Sequence, residues 1–77
     1  MSYGYSLRLV RLNREADSSK LGVRLGRLCM QHDIPVAKIA SRFGVTRVTV
    51  YNWFCGQTVP RSRVAPLIED YIAELTA

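Results

Sequence analysis

The sequence lacks the features that define several large classes of protein. It has two cysteines, Cys29 and Cys55, one histidine and no C-x-x-C spacing, so neither a zinc site nor a disulfide framework is expected. No apolar run approaches the ~18 residues that cross a bilayer. The first residues also show no apolar segment followed by a small-residue cleavage site. We therefore expect no membrane contact, a cytoplasmic location and reduced thiols.

The chain also has few of the side chains that catalyse reactions. Six acidic residues, one histidine and two separated cysteines form no pattern typical of an active site. No glycine-rich loop that could cradle a phosphate group is present. We expect no enzymatic activity, no metal, no cofactor and no small-molecule ligand.

What the chain does have is apolar residues and positive charge. Its 77 residues, of which 48% are hydrophobic and 22% charged, favour one folded domain with a single core. The net charge is +5, and all eleven Lys and Arg residues lie at or before Arg63, whereas Glu69, Asp70 and Glu74 lie near the end. A basic surface attracts phosphate backbones, which favours a nucleic acid as partner.

The first 17 residues give a mixed pattern. Alternate residues from 3 to 9 are apolar, which is typical of a strand, but Val10 and Leu12 break the alternation. We predict that residues 1–17 form an extended arm or strand, which covers part of the core, pairs across a dimer or reaches DNA as a basic tail. The tail would use three arginines: Arg8, Arg11 and Arg14.

Helical periodicity dominates residues 18–77. Apolar residues recur on one helical face from Leu21 to Cys29, after candidate capping side chains at positions 17–19. Gly22 and Gly26 in this helix indicate either a closely packed neighbouring backbone or a weak helix. Another stripe, starting near Ser62, predicts a last helix that closes the core or mediates a dimer contact. The predicted fold is all-α and compact, with four to five helices.

Residues 36–54 contain two short apolar stripes whose phase changes at Gly44. The first stripe predicts a two-turn helix over residues 36–43, and a left-handed glycine can end it and reverse the chain. Thr46 is a suitable N-cap for a second helix that ends before Gly56. The small side chain of Ala40, among bulky neighbours, predicts that the two helices cross steeply.

This run resembles the helix-turn-helix of the Cro/phage-repressor (XRE-type) family. Five residues occupy the small, turn and core positions of that motif: Ala40, Gly44, Val45, Val50 and Trp53. The resemblance implies a lambda repressor-like domain over residues 18–77 with its motif at 36–54. One departure is Val36, which stands where many phage repressors have a phosphate-binding glutamine.

The resemblance also implies which residues meet DNA, because the second helix of such a motif enters the major groove. Arginine can bind guanine and asparagine can bind adenine through two hydrogen bonds, and valine can pack on the thymine methyl group. We predict base readout by four residues: Arg47, Val48, Thr49 and Asn52. We predict phosphate contacts by six more: Thr46, Tyr51, Lys38, Arg42, Arg61 and Arg63.

We therefore expect a sequence-specific regulator of transcription that binds double-stranded DNA. The expected form is a Cro-like repressor of a phage or mobile element, which acts as a homodimer by operator occupancy on the nucleoid of a bacterial or phage-infected cell. Two alternatives remain open. One is a small phage-type adaptor that binds a protein through Val48, Tyr51 and Cys55, and the other is a DNA-binding role in recombination or packaging.

Overall fold

The computed structural model describes residues 5–77, and every regular element in that range is an α-helix. The prediction of a compact all-α fold is confirmed: the Cα atoms span 30 × 24 × 22 Å. No helix in this range has the length and apolar character that a membrane span requires. The helices are α1 (Leu7–Glu15), α2 (Leu21–Gln31), α3 (Val36–Phe43), α4 (Arg47–Phe54) and α5 (Ala65–Thr76).

Helix α1 replaces most of the predicted N-terminal arm or strand, so that prediction is wrong for Leu7–Glu15. The Ser6 side chain caps the helix by accepting a hydrogen bond from the backbone N–H of Leu9 at 3.1 Å. A strand would place Leu7 and Leu9 on one face, but Leu7 is 73% exposed and Leu9 is 8% exposed. Helical periodicity therefore determines which residues are buried here. Residues 1–4, the start of the predicted arm, lie outside the described residues.

Helix α2 lies at the centre of the fold and packs against α1, α4 and α5. A Cβ atom on Gly22 would lie 2.7 Å from the carbonyl oxygen of Trp53, and one on Gly26 would lie 2.8 Å from Cγ of Phe54. The two glycines therefore allow α2 and α4 to approach closely. Of the two interpretations of these glycines, close packing is the correct one.

The ends of α2 and α5 differ from the sequence prediction. Lys20 is the N-cap of α2, but its side chain does not cap the helix and instead donates through Nζ to the carbonyl of Gly56 at 2.8 Å. Asp17 accepts hydrogen bonds from the backbone and hydroxyl of Ser19 in the preceding turn. These two hydrogen bonds lower the pKa of Asp17. Helix α5 begins at Ala65, after a turn that starts near Ser62. Its Ile68, Tyr71 and Ile72 complete the core.

Candidate nucleic-acid interface

Helices α3 and α4 are joined by a three-residue turn with the geometry that the sequence predicts. Gly44 is left-handed, with φ 65° and ψ 36°, and the N–H of Val45 donates to the carbonyl of Ala40 at 3.0 Å. The hydroxyl of Thr46 then accepts from the N–H of Thr49 at 3.1 Å and caps α4. The turn therefore fixes the direction in which α4 leaves α3.

The buried side of α4 consists of Val50, Trp53 and Phe54, which are at most 3% exposed. Ala40 on α3 is also buried, and Val45 in the turn is half-buried and packed against the core. The predicted core positions therefore lie inside the fold. Because one side of α4 is anchored by large apolar side chains, its opposite side is held in a fixed orientation.

The opposite side of α4 carries the residues predicted to read bases. Arg47 is exposed, Val48 is 64% exposed and Asn52 is half-buried. Thr49 lies at the margin, where its hydroxyl is 2.9 Å from that of Thr46. Because the Thr49 hydroxyl is within hydrogen-bond distance of the capping hydroxyl, it is less available to a ligand than the side chains of Arg47 and Val48.

The residues predicted to contact phosphates are spread around this side. Thr46 and Tyr51 are exposed on the turn and on α4, and Lys38 is exposed on α3. Arg61 and Arg63 are exposed in the segment between α4 and α5. The structure therefore brings the turn and α4 together but leaves the two arginines on a separate segment.

Arg42 differs from the other phosphate candidates because it already has partners within the fold. Its Nη2 donates to Oε2 of Glu74 at 3.2 Å, and its guanidinium lies 4.4 Å from the ring centroid of Tyr71. These contacts hold the end of α3 against α5. A phosphate would have to compete with both contacts for this side chain.

Helix α1 packs beside α4 through a buried residue that sequence reasoning missed. Asn13 is 2% exposed, and its Nδ2 donates to the carbonyls of Phe54 at 2.8 Å and Val23 at 3.1 Å. Arg27 of α2 donates through Nη2 to the carbonyls of Asn13, Arg14 and Ala16, and so caps the end of α1. The signal in the sequence was the four-residue spacing of Leu9 and Asn13, which places both on one side of a helix.

A groove of about 550 Å³ lies between α1, the start of α3 and one edge of α4. Arg8 lines it from α1, and Arg47, Tyr51 and Cys55 line it from the α4 side. At the base of α1 the Tyr5 hydroxyl donates to the carbonyl of Ile34. The groove is therefore continuous with the exposed side of α4, and α1 forms its outer wall.

Both cysteines are free thiols in the structure. Burial raises the pKa of the Cys29 thiol to about 12, which keeps it protonated in the core. Burial also raises the pKa of Cys55, although the positive charge of Arg8 opposes that increase. Among residues 5–77, no three His, Cys, Asp or Glu side chains come close enough to hold a metal ion.

No protein-family model, curated protein or solved structure matches this chain. The exposed side of α4 therefore indicates its function only through its own chemistry. That chemistry is a guanidinium, an isopropyl group and a carboxamide on one rigidly anchored helix, at Arg47, Val48 and Asn52.

Proposed function

We propose that this protein is a sequence-specific regulator of transcription that binds double-stranded DNA. In this proposal α3, the turn at Gly44 and α4 form a helix-turn-helix, and α4 enters the major groove. The observation that carries it is the division of α4 into a buried side at Val50 and Trp53 and an exposed side that begins with Arg47 and Val48.

The exposed side of α4 suits the edges of base pairs. Arg47 can donate two hydrogen bonds to guanine, Asn52 can make two with adenine, and Val48 can pack on a thymine methyl group. A contact with two hydrogen bonds contributes about 1–3 kcal/mol of discrimination, which corresponds to about a 5- to 150-fold difference in affinity. Thr49 contributes less direct readout, because its hydroxyl faces that of Thr46.

The charge distribution supports the same partner. Among the predicted phosphate contacts, Lys38, Arg61 and Arg63 have exposed side chains, and Tyr51 adds a hydroxyl on α4. Such contacts set the position of a protein on the duplex without specifying the sequence. In the full proposal the protein is a homodimeric, Cro-like repressor of a phage or mobile element that occupies operators in the cytoplasm.

Selection of bound fragments from a random pool of duplex DNA, at about 0.15 M salt, tests this function. We expect enrichment of a short inverted repeat. Arg47→Ala and Asn52→Ala should each relax the preference at one position per half-site. Arg24→Ala and Gln31→Ala, which change exposed residues of α2, are matched controls that should keep the preference. A wild-type protein that binds no duplex, or all duplexes alike, would contradict the proposal.

An adaptor function is the second candidate, because the exposed side of α4 also has apolar character. Val48 is 64% exposed and Tyr51 is 41% exposed, and both lie near the half-buried Cys55. These side chains could pack against a protein partner. The DNA selection separates the two functions, since an adaptor would enrich no sequence and Val48→Ser would then weaken a protein complex instead.

A further inference from the structure

The groove beside α4 contains two arginines and no opposing charge. Arg8 on α1 and Arg47 on α4 are its charged lining residues, and no acidic residue in the described range lines it. The ion pair found among residues 5–77 joins Arg42 to Glu74, so neither groove arginine is neutralised by a carboxylate there. The groove therefore attracts anions.

Arg8 is held near α4 by the packing of its own helix. Leu9 and Asn13 anchor α1 in the core, and Asn13 donates directly to the carbonyl at the end of α4. The charge of Arg8 reaches Cys55, where it opposes the effect of burial on the pKa of that thiol. The position of Arg8 beside α4 is thus set by buried contacts on the same helix.

The groove runs along the edge of α4 where a DNA strand would pass. Three groove residues follow one another at intervals of four and so form one row along α4: Arg47, Tyr51 and Cys55. This row lies next to the side that carries Val48 and Asn52. The major groove is about 12 Å wide and a helix with its side chains is about 10–12 Å across. A helix that enters the major groove therefore has a sugar-phosphate backbone along each edge.

We infer that Arg8 binds a backbone phosphate in this groove, so that α1 is a DNA-contacting element in addition to α3 and α4. This inference rests on the proposed function, because it requires α4 to lie in the major groove. It extends the interface to a helix outside the residues that resemble the phage-repressor motif. Arg8 would add affinity and fix the register, and the bases would still be read by α4.

The salt dependence of operator binding tests the role of Arg8. The slope of log K against log salt concentration is negative, and each phosphate contact makes it steeper by about 0.9 on duplex DNA. Arg8→Gln should therefore make that slope less steep by about 0.9 per bound chain, or about 1.8 for the proposed homodimer, and leave the selected sequence unchanged, whereas Arg8→Lys should keep most of the slope. Arg24→Gln is the matched control, because Arg24 lies about 160° around α2 from both Gly22 and Gly26, which face α4. The slope measured for Arg24→Gln should equal that of the wild type.

Neutral methylphosphonate groups, placed one at a time along the operator, locate the contact. In the wild type and in Arg24→Gln, neutralising one flanking phosphate should weaken binding, and in Arg8→Gln the same substitution should have no further effect.

A folded Arg8→Gln variant with a wild-type slope and a wild-type response at every phosphate would overturn the inference while the proposed function stands. If Arg8→Gln does not fold, Arg8→Lys takes its place, because lysine keeps the charge but loses the paired N–H donors of the guanidinium. Arg8→Lys should then bind the unmodified operator less tightly than the wild type, and this difference should disappear when the one flanking phosphate is neutral. An Arg8→Lys variant whose affinity relative to the wild type is the same on every operator, modified or not, would overturn the inference. A wild type that binds no duplex would overturn both.

Discussion

Asn13 connects three helices although it lies on only one of them. Its amide donates to the carbonyl of Val23 on α2 and to that of Phe54 at the end of α4. The backbone carbonyl of Asn13 also accepts a hydrogen bond from Nη2 of Arg27 at 3.2 Å. A buried polar side chain is tolerated when its hydrogen bonds are satisfied, and no buried side-chain polar atom in the described residues is left without a partner. Asn13 therefore fixes the position of α1 relative to α4.

We expect Asn13→Ala to lower the free energy of unfolding by about 1–3 kcal/mol, because the carbonyl of Phe54 loses a buried donor. Chemical denaturation followed by circular dichroism measures this change. Gln31→Ala removes an exposed carboxamide from α2 and should change stability by less than about 0.5 kcal/mol. Equal stability of the Asn13 variant and the wild type would show that water replaces the lost contacts.

At the scale of elements, the close approach of α2 and α4 determines how the exposed side of α4 is held. Gly22 faces the backbone of Trp53, and Gly26 faces the Asn13 and Phe54 side chains. Helix propensity alone would favour alanine at both positions by up to about 1 kcal/mol. Packing disfavours alanine at both positions, because an added Cβ atom would push α4 away. That movement would displace Trp53 and Phe54 from the core.

Gly22→Ala should therefore destabilise the protein, by about 1–3 kcal/mol, in spite of the higher helix propensity of alanine. A new Cβ would lie 2.7 Å from the Trp53 carbonyl oxygen and 3.0 Å from its carbonyl carbon. The midpoint of thermal unfolding measures the effect, with Arg24→Ala on the exposed side of α2 as the control. A Gly22 variant that melts above the wild type would mean that the two helices are not in close contact.

For the whole molecule, size and charge are both compatible with the proposed binding of two copies to one duplex. The longest Cα dimension is 30 Å, and half-sites that share one face of the duplex are about 34–36 Å apart. With side chains added to the Cα dimensions, neighbouring copies would touch or nearly touch. The acidic residues Glu69, Asp70 and Glu74 lie on α5, so the basic residues dominate the rest of the surface.

We expect two protein molecules to bind each inverted-repeat operator, with the half-site centres about 10–10.5 base pairs apart. Sedimentation of the complex gives this stoichiometry directly. Inserting about half a helical turn between the half-sites should abolish cooperative binding, because it rotates the second copy to the opposite face of the duplex. Binding of a single chain with the same affinity to full and half operators would contradict the proposed homodimer.

The sequence alone determined the elements whose signals are local. The helix over Val36–Phe43, the left-handed Gly44 and the Thr46 cap all depend on residues within one or two turns, and the structure has each of them where it was predicted. The buried positions Val50 and Trp53 follow in the same way from helical periodicity. Local propensity and burial agree in this segment, so the pattern could be interpreted without the fold.

Only the tertiary structure decided the contacts between residues distant in the chain. The apolar pattern of residues 5–9 fits a strand about as well as a helix. In the helical form, Asn13 of the same segment can donate to the carbonyls of Val23 on α2 and Phe54 on α4. The pairing of Arg42 with Glu74 and the presence of Arg8 and Arg47 in one groove depend likewise on how helices meet in space. Periodicity shows which side of a helix is buried, but it contains no information about which helix covers that side.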